Sequence, residues 1–93
     1  MARMLIADDN PQLLNILSSA ARREGFEPVT ALDGRQALEA FRAQPPQIVL
    51  LDVMMPELDG FQVCREIRRE SNVPVIMITA RGEDFEKSMG LDI

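Results

Sequence analysis

Short apolar segments alternate along the chain with amphipathic ones, and Gly, Pro, Asn or Asp residues separate them. Four apolar segments resemble strands, at residues 3–7, 26–31, 48–51 and 73–78. The stretches between them repeat apolar residues every three or four positions, which is typical of helices. The pattern therefore predicts a βαβαβαβα chain, with parallel strands and with helices on both faces of one sheet.

The expected helix boundaries follow from capping residues and helix breakers. The first helix should begin with Asn10 as N-cap and end at Gly25, the second should open at Asp33 and close before Pro45, and the third should follow Gly60. A weaker helical stretch begins at residue 82. The apolar positions expected to face the core are Leu13, Ile16, Leu17 and Ala20, then Ala37, Leu38 and Phe41, then Phe61, Cys64 and Ile67.

One proline fixes the expected strand order. Pro28 lies inside the second strand, and a proline cannot donate to a sheet ladder, so this strand belongs at an edge. That position suits the order 2-1-3-4, the flavodoxin-like doubly wound parallel sheet of the α/β class.

Length and charge narrow the possible functions. The 93 residues allow one domain, 1–93, and the net charge of −5 argues against direct nucleic-acid binding. No apolar run reaches the roughly 20 residues that a bilayer requires. The single cysteine, Cys64, is expected to be a small core residue, in keeping with a reducing cytoplasm. The absence of histidine excludes histidine catalysis and His-ligated zinc.

Acidic residues follow two strands that the predicted order makes neighbours. Asp8 and Asp9 come after the first strand, and Asp52 directly follows the unbroken apolar run Ile48–Leu51. The fourth strand delivers Thr79 to the same edge. Clustered carboxylates without His or Cys suit a hard cation, and we expect Mg²⁺.

Simpler interpretations exist for each residue alone. Asp8 and Asp9 could be charges favoured by a helix N-terminus, and Thr79 could be a strand-end hydroxyl or a cap. Asp33 and Asp59 are expected to be helix caps. Asp52 is the residue least easily explained in this way, because a carboxylate at the end of a buried strand is costly without a partner.

Together these pieces resemble the receiver domain of bacterial two-component response regulators. The matching segments are Asp8-Asp9, the run from Leu50 to Gly60 (Leu-Leu-Asp-Val-Met-Met-Pro-Glu-Leu-Asp-Gly) and Ile78-Thr79-Ala80, and they extend over almost the whole chain. The resemblance implies a switch module rather than a turnover enzyme. Its partner would be a sensor histidine kinase or a histidine phosphotransfer protein, with a possible output domain beyond the chain.

The resemblance also implies a role for each site residue. Asp52 would accept the phosphoryl group, and Thr79 would be the switch hydroxyl that turns toward it. Asp9 and Asp52 would bind Mg²⁺ directly, Asp8 would act largely through water, and the backbone carbonyl of Met54 would complete the protein ligands.

Part of the family pattern is missing from this sequence. Receivers carry a lysine after a fifth strand, followed by a fifth helix, whereas Lys87 lies on a predicted helix eight residues after Thr79. We therefore expect a receiver that is incomplete at its C-terminus and phosphorylates poorly alone. The fourth strand would then be an exposed edge, from which we expect self-association.

Two other functions stay open at this point. A haloacid-dehalogenase-like phosphatase also uses a strand-end Asp with Mg²⁺, but it needs a second Asp where this chain has Met54. A non-phosphorylated interaction or scaffold fragment with the same fold is the other alternative.

Overall fold

The computed structural model describes residues 1–78, which contain four strands and three helices in strict alternation. The strands are β1 (Arg3–Ala7), β2 (Glu27–Ala31), β3 (Ile48–Asp52) and β4 (Val75–Ile78). The helices are α1 (Pro11–Arg23), α2 (Gly34–Ala43) and α3 (Gly60–Glu70). The helical stretch predicted from residue 82 lies outside the described residues.

The four strands form one parallel sheet in the order β2-β1-β3-β4, which confirms the predicted flavodoxin-like arrangement. Pro28 lies on the edge strand β2, where its missing N–H breaks no ladder. In the central pair, Ala7 of β1 lies opposite Leu51 of β3. The residues that follow these two strands therefore leave the sheet side by side.

Each helix begins at the capping residue that the sequence indicates. The side chain of Asn10 accepts hydrogen bonds from two backbone N–H groups of α1, and that of Asp33 accepts one from Gln36. Asp59 forms a reciprocal capping box with Gln62 at the start of α3. Gly25 follows α1 with a φ of 91°, the left-handed conformation for which glycine is favoured.

The larger core lies between the sheet and the helices α2 and α3. Its fully buried residues include Leu5, Val49, Leu51, Val63 and Ile67. On the opposite face α1 covers a smaller cluster of Ile6, Leu14 and Ala21, against which Leu50 is only partly buried. β3 is therefore well covered on the α2–α3 side and less so on the α1 side.

The predicted faces of α1 and α3 need correction. Ile16 is 63% exposed and Phe61 is 37% exposed, whereas the residues buried from these helices include Leu14 and Val63. Periodicity fixes the spacing of a buried face but not its rotation. The set Leu14, Ser18 and Ala21 is also helically spaced, and packing on the sheet selects it. The face predicted for α2 is confirmed, as is the burial of Cys64 and Ile67.

Within residues 1–78, none of the helices has both the length and the apolar character needed to cross a membrane.

The burial pattern predicts a large contrast between two isoleucines on helices. Ile67 is 0% exposed, so Ile67→Ala should lower the free energy of unfolding by about 2–4 kcal/mol through lost burial and an added cavity. Ile16→Ala makes the same chemical change at a mostly exposed site and should alter stability by less than about 0.5 kcal/mol. Urea unfolding followed by circular dichroism measures both values, and equal losses would contradict the burial described here.

Candidate metal site

Three carboxylates from two adjacent strands meet at one edge of the sheet. Asp8 and Asp9 follow the last residue of β1, and Asp52 is the last residue of β3. One carboxylate oxygen from each residue lies within 4.8 Å of those from the other two. The convergence expected from parallel pairing is therefore observed.

Backbone amides hold two of these carboxylates in the same way. The N–H of Asn10 donates to Oδ1 of Asp8 at 2.9 Å, and the N–H of Met54 donates to Oδ1 of Asp52 at 3.4 Å. In both cases the donor lies two residues after the acid, the spacing of an Asx turn. Each turn therefore helps to orient its carboxylate.

Burial and mutual repulsion make these acids harder to ionise. Desolvation, and then the negative charge of Asp8, raise the pKa of Asp52 to about 6, against the opposing hydrogen bond from Met54. The side chain of Asp8 is buried, and desolvation is also the largest cause of its raised pKa. Concentrated negative charge at a partly buried edge is unfavourable unless a cation joins it.

Two open regions of the surface border the carboxylate cluster. A cleft of about 290 Å³ has Asp8, Asp9, Asn10 and Asp52 on one side and the apolar side chains of Leu13, Leu17 and Ile78 on the other. Asp9 also borders a wider depression, lined mainly by the segment from Val53 to Pro56 and by Phe61. A small molecule can therefore reach Asp52 from solvent.

The donor set fits a hard divalent cation. All three candidate ligands are carboxylates, the oxygen donors that Mg²⁺ prefers, and their spacing allows one ion to lie between them. Such an ion would offset the repulsion that raises the pKa of Asp52.

The other predicted site residues have different outcomes. Met54 follows β3 by two residues and is 53% exposed, and the role of its backbone carbonyl as a ligand stays a prediction. Thr79 lies outside the described residues. Sequence reasoning identified Asn10 only as a cap, whereas its N–H also orients Asp8. The Asp-x-Asn spacing of an Asx turn is the signal that could have indicated this.

Comparison with known sequences gives a consistent result. The family profile described as the response regulator receiver domain matches residues 4–93. A probable transcriptional regulator ycf27 of Pyropia yezoensis is 46% identical over 91 residues, which are 98% of this chain and 37% of that protein. The transcriptional regulatory protein CpxR homolog of Haemophilus influenzae is 45% identical over 93 residues, which are 100% of this chain and 40% of that protein. The chain thus spans about two-fifths or less of these relatives.

Solved structures agree with the sequence comparison. The response regulator protein TrrA of Thermotoga maritima, in complex with Mg(2+)-BeF, is similar with a TM-score of 0.84 and 34% identity. The match covers 90% of this chain and 74% of that one. The N-terminal domain of a response regulator receiver protein from Methanoculleus marisnigri JR1 has a TM-score of 0.81 and 36% identity, covering 87% of this chain and 68% of that one.

The raised pKa of Asp52 predicts a pH-dependent gain in stability from Asp52→Asn. In the absence of metal, Asp52 is neutral in both the folded and the unfolded protein at pH values below its ordinary pKa of 3.8. Its ionisation therefore does not affect stability in that range. As pH rises toward about 6, the unfolded chain ionises more readily than the folded one, so the wild type loses stability. The advantage of the Asn variant should therefore grow between these values and level off above them, at about 1–2 kcal/mol after solvent screening.

The measurement is urea unfolding in a metal chelator at a series of pH values. Asp33→Asn is the matched control, because it replaces one good N-cap with another and Asp33 is not one of the three clustered carboxylates. A stability difference for Asp52→Asn that does not change with pH would contradict the described electrostatics.

Proposed function

The chain belongs to the family of response regulator receiver domains, and we propose that Asp52 is its phosphoacceptor. The observation that carries this proposal is the position of Asp52 at the carboxyl end of a central strand, with its carboxylate grouped with those of Asp8 and Asp9. Open α/β sheets place their chemistry at this edge. The cleft beside it leaves room for a small phosphodonor or for the side chain of a partner.

The proposed step is a transfer of one phosphoryl group. An oxygen of ionised Asp52 attacks the donor phosphorus, a new P–O bond gives an acyl phosphate, and the bond to the leaving group breaks with its electron pair. Even without a metal ion, which would lower it, the pKa of Asp52 of about 6 leaves the carboxylate mostly ionised at neutral pH and therefore able to act as the nucleophile. The hydrogen bond from the Met54 N–H helps to orient the carboxylate of Asp52 for the reaction.

Asp8, Asp9, Asp52 and the backbone carbonyl of Met54 are the groups that would hold Mg²⁺. When bound, the ion would neutralise the charge of the transferring phosphoryl oxygens. The oxygen-only donor set supports this assignment. The structure of the similar Thermotoga maritima response regulator in complex with Mg(2+)-BeF is a second support.

The remaining functional assignments are proposals about the signalling role. We propose that residues 1–93 act as one receiver domain in the cytoplasm, that a sensor histidine kinase or histidine phosphotransfer protein donates the phosphoryl group, and that Thr79 responds to it. The names of the relatives, which are transcriptional regulators, favour an output module in the whole protein rather than a turnover enzyme. Self-association through β4 also stays a prediction.

The two alternatives are weaker than the switch. A haloacid-dehalogenase-like phosphatase is disfavoured by Met54, which takes the place of the second acid, and by the match to the receiver family. A scaffold that is never phosphorylated is compatible with the fold, but it gives no reason for three clustered carboxylates at a solvent-accessible edge.

Phosphorylation can be tested directly by mass. Incubation with Mg²⁺ and a small acyl-phosphate donor should add one phosphoryl group to part of the wild-type and Asp33→Asn protein, since we expect slow modification of this chain alone, and none to Asp52→Asn. Intact-mass spectrometry measures the product. An unmodified wild type would support the scaffold, and rapid turnover of phosphate esters would support the phosphatase.

Metal binding has a separate test in thermal stability. Mg²⁺ should raise the melting temperature of the wild type, because a ligand that binds only the folded state stabilises it. At a concentration 100 times the dissociation constant the gain is about 2.7 kcal/mol. Asp9→Asn removes an exposed proposed ligand and should lose most of this shift, whereas Asp33→Asn should keep it. Equal shifts in all three proteins would contradict the assigned ligands.

A further inference from the structure

We propose that Gly34, at the start of α2, is a positioning residue for the segment that follows the phosphoacceptor. Because Gly34 has no side chain, the start of α2 packs directly against the backbone of Leu58. This contact holds residues 53–59 in place beside Asp52. This inference rests on the proposed function, and it concerns an element that contributes no ligand or reacting group to the site.

The contact is between Gly34 and the main chain. A Cβ atom placed on Gly34 would lie 2.6 Å from Cβ and 2.8 Å from the carbonyl carbon of Leu58, and it would be closest to the carbonyl oxygen of Leu58. Real Cβ atoms essentially never come so close to other atoms. Because the nearest atom belongs to the backbone, no change of rotamer relieves the overlap, and either α2 or the segment itself must move.

The segment is held at a second point near Asp52. A Cβ on Gly60, the first residue of α3, would lie 2.5 Å from the carbonyl oxygen of Asp52 and 3.0 Å from Cα of Val53. The N–H of Gly60 also donates to the carbonyl oxygen of Val53 at 3.0 Å. The N-terminal ends of α2 and α3 therefore enclose residues 53–59 from two sides, each through a glycine.

The conformation of the segment shows why it needs this support. Glu57 is the one non-glycine residue with a positive φ among residues 1–78, at 72°, a conformation that costs free energy for a side-chain-bearing residue. It is exposed, and its ion pair with Arg35 spans 4.0 Å between two exposed side chains, so that pair contributes little. The close contact of Leu58 with buried Gly34 lies at the next residue and can hold the turn.

The consequence for the site follows from chain connectivity. Met54, which donates to Asp52 and whose carbonyl is a proposed ligand, lies four residues before Leu58. A displacement of Leu58 by a fraction of an ångström is carried into this short segment. Mutation of residues that position metal ligands typically costs about 10- to 100-fold in metal affinity, so we expect about a tenfold loss.

The test compares two Gly→Ala variants in Mg²⁺ affinity, measured by titration calorimetry at a temperature where both are folded. Gly34→Ala should weaken Mg²⁺ binding by about tenfold. Gly25→Ala is the matched control: it strains a left-handed glycine with no atom within 4 Å of the added Cβ, so it should lose stability but bind Mg²⁺ within about twofold of wild type. Unchanged affinity in Gly34→Ala, or an equal loss in Gly25→Ala, would overturn the proposal.

Leu58→Gly gives a second measurement. It removes the Cβ that faces Gly34 and loosens residues 53–59, so it should also weaken Mg²⁺ binding. If Gly34→Ala does not fold, the affinity of Leu58→Gly tests the contact instead. Combined with Gly34→Ala, it should cost less than the sum of the two single losses, because both changes displace the same segment and Leu58→Gly also removes one of the atoms that the added methyl group would meet. A single variant with wild-type affinity, or strictly additive losses, would count against the contact.

A metal-free readout separates this proposal from the function on which it rests. In a chelator, amide NMR signals of Asp52 and Met54 should shift in Gly34→Ala and stay in place in Gly25→Ala. A wild type that binds no Mg²⁺ would refute the metal site, while these shifts would still support the positioning contact. Unshifted signals in Gly34→Ala would refute the contact even if the wild type binds Mg²⁺.

Discussion

The parallel pairing of β1 with β3 is the constraint on which the site depends. The register that sets Ala7 opposite Leu51 delivers the next residues of both strands to one point, and those residues are acids. No long-range side-chain interaction is needed to bring them together, because the sheet does so. A shift of one residue in this register would turn one set of side chains to the other face and disperse the carboxylates.

The convergence of three carboxylates lowers the stability of the metal-free fold. The same burial and repulsion that raise the pKa of Asp52 disfavour the fold in the absence of a cation, and they would favour the binding of one. The cost is tolerable because the larger core, around Val49, Val63 and Ile67, lies on the far side of the sheet from the cleft. The residues that contribute most to stability thus lie on one face of the sheet, whereas the candidate site lies at the edge where the strands end.

The sequence was sufficient for the element order, the caps and the acidic cluster, because each has a local signal. Pro28 indicated the edge strand, Asn10 and Asp33 indicated helix starts, and strand-end acids indicated the site. The rotation of α1 was wrong at Ile16, since several sets of helical positions are apolar and tertiary packing chooses among them. The contact of Gly34 with Leu58 was not predictable either, because it joins distant segments and depends on the approach of two backbones. Asp33-Gly34 reads as an ordinary helix start, with no sign of what the glycine touches.

The two Asx turns at the acids influence how their carboxylates would meet a cation. Oδ1 of Asp8 and Oδ1 of Asp52 each accept a backbone hydrogen bond, which orients the carboxylate and leaves lone pairs on both of its oxygens. Bidentate carboxylates and a coordination number of six to eight are what Ca²⁺ uses, whereas Mg²⁺ takes single oxygens at a short radius and retains its waters. Two peptide N–H groups therefore set the directions in which these acids would present their oxygens to a bound cation, so the shape of the site depends on the main chain as well as on the identity of its acids.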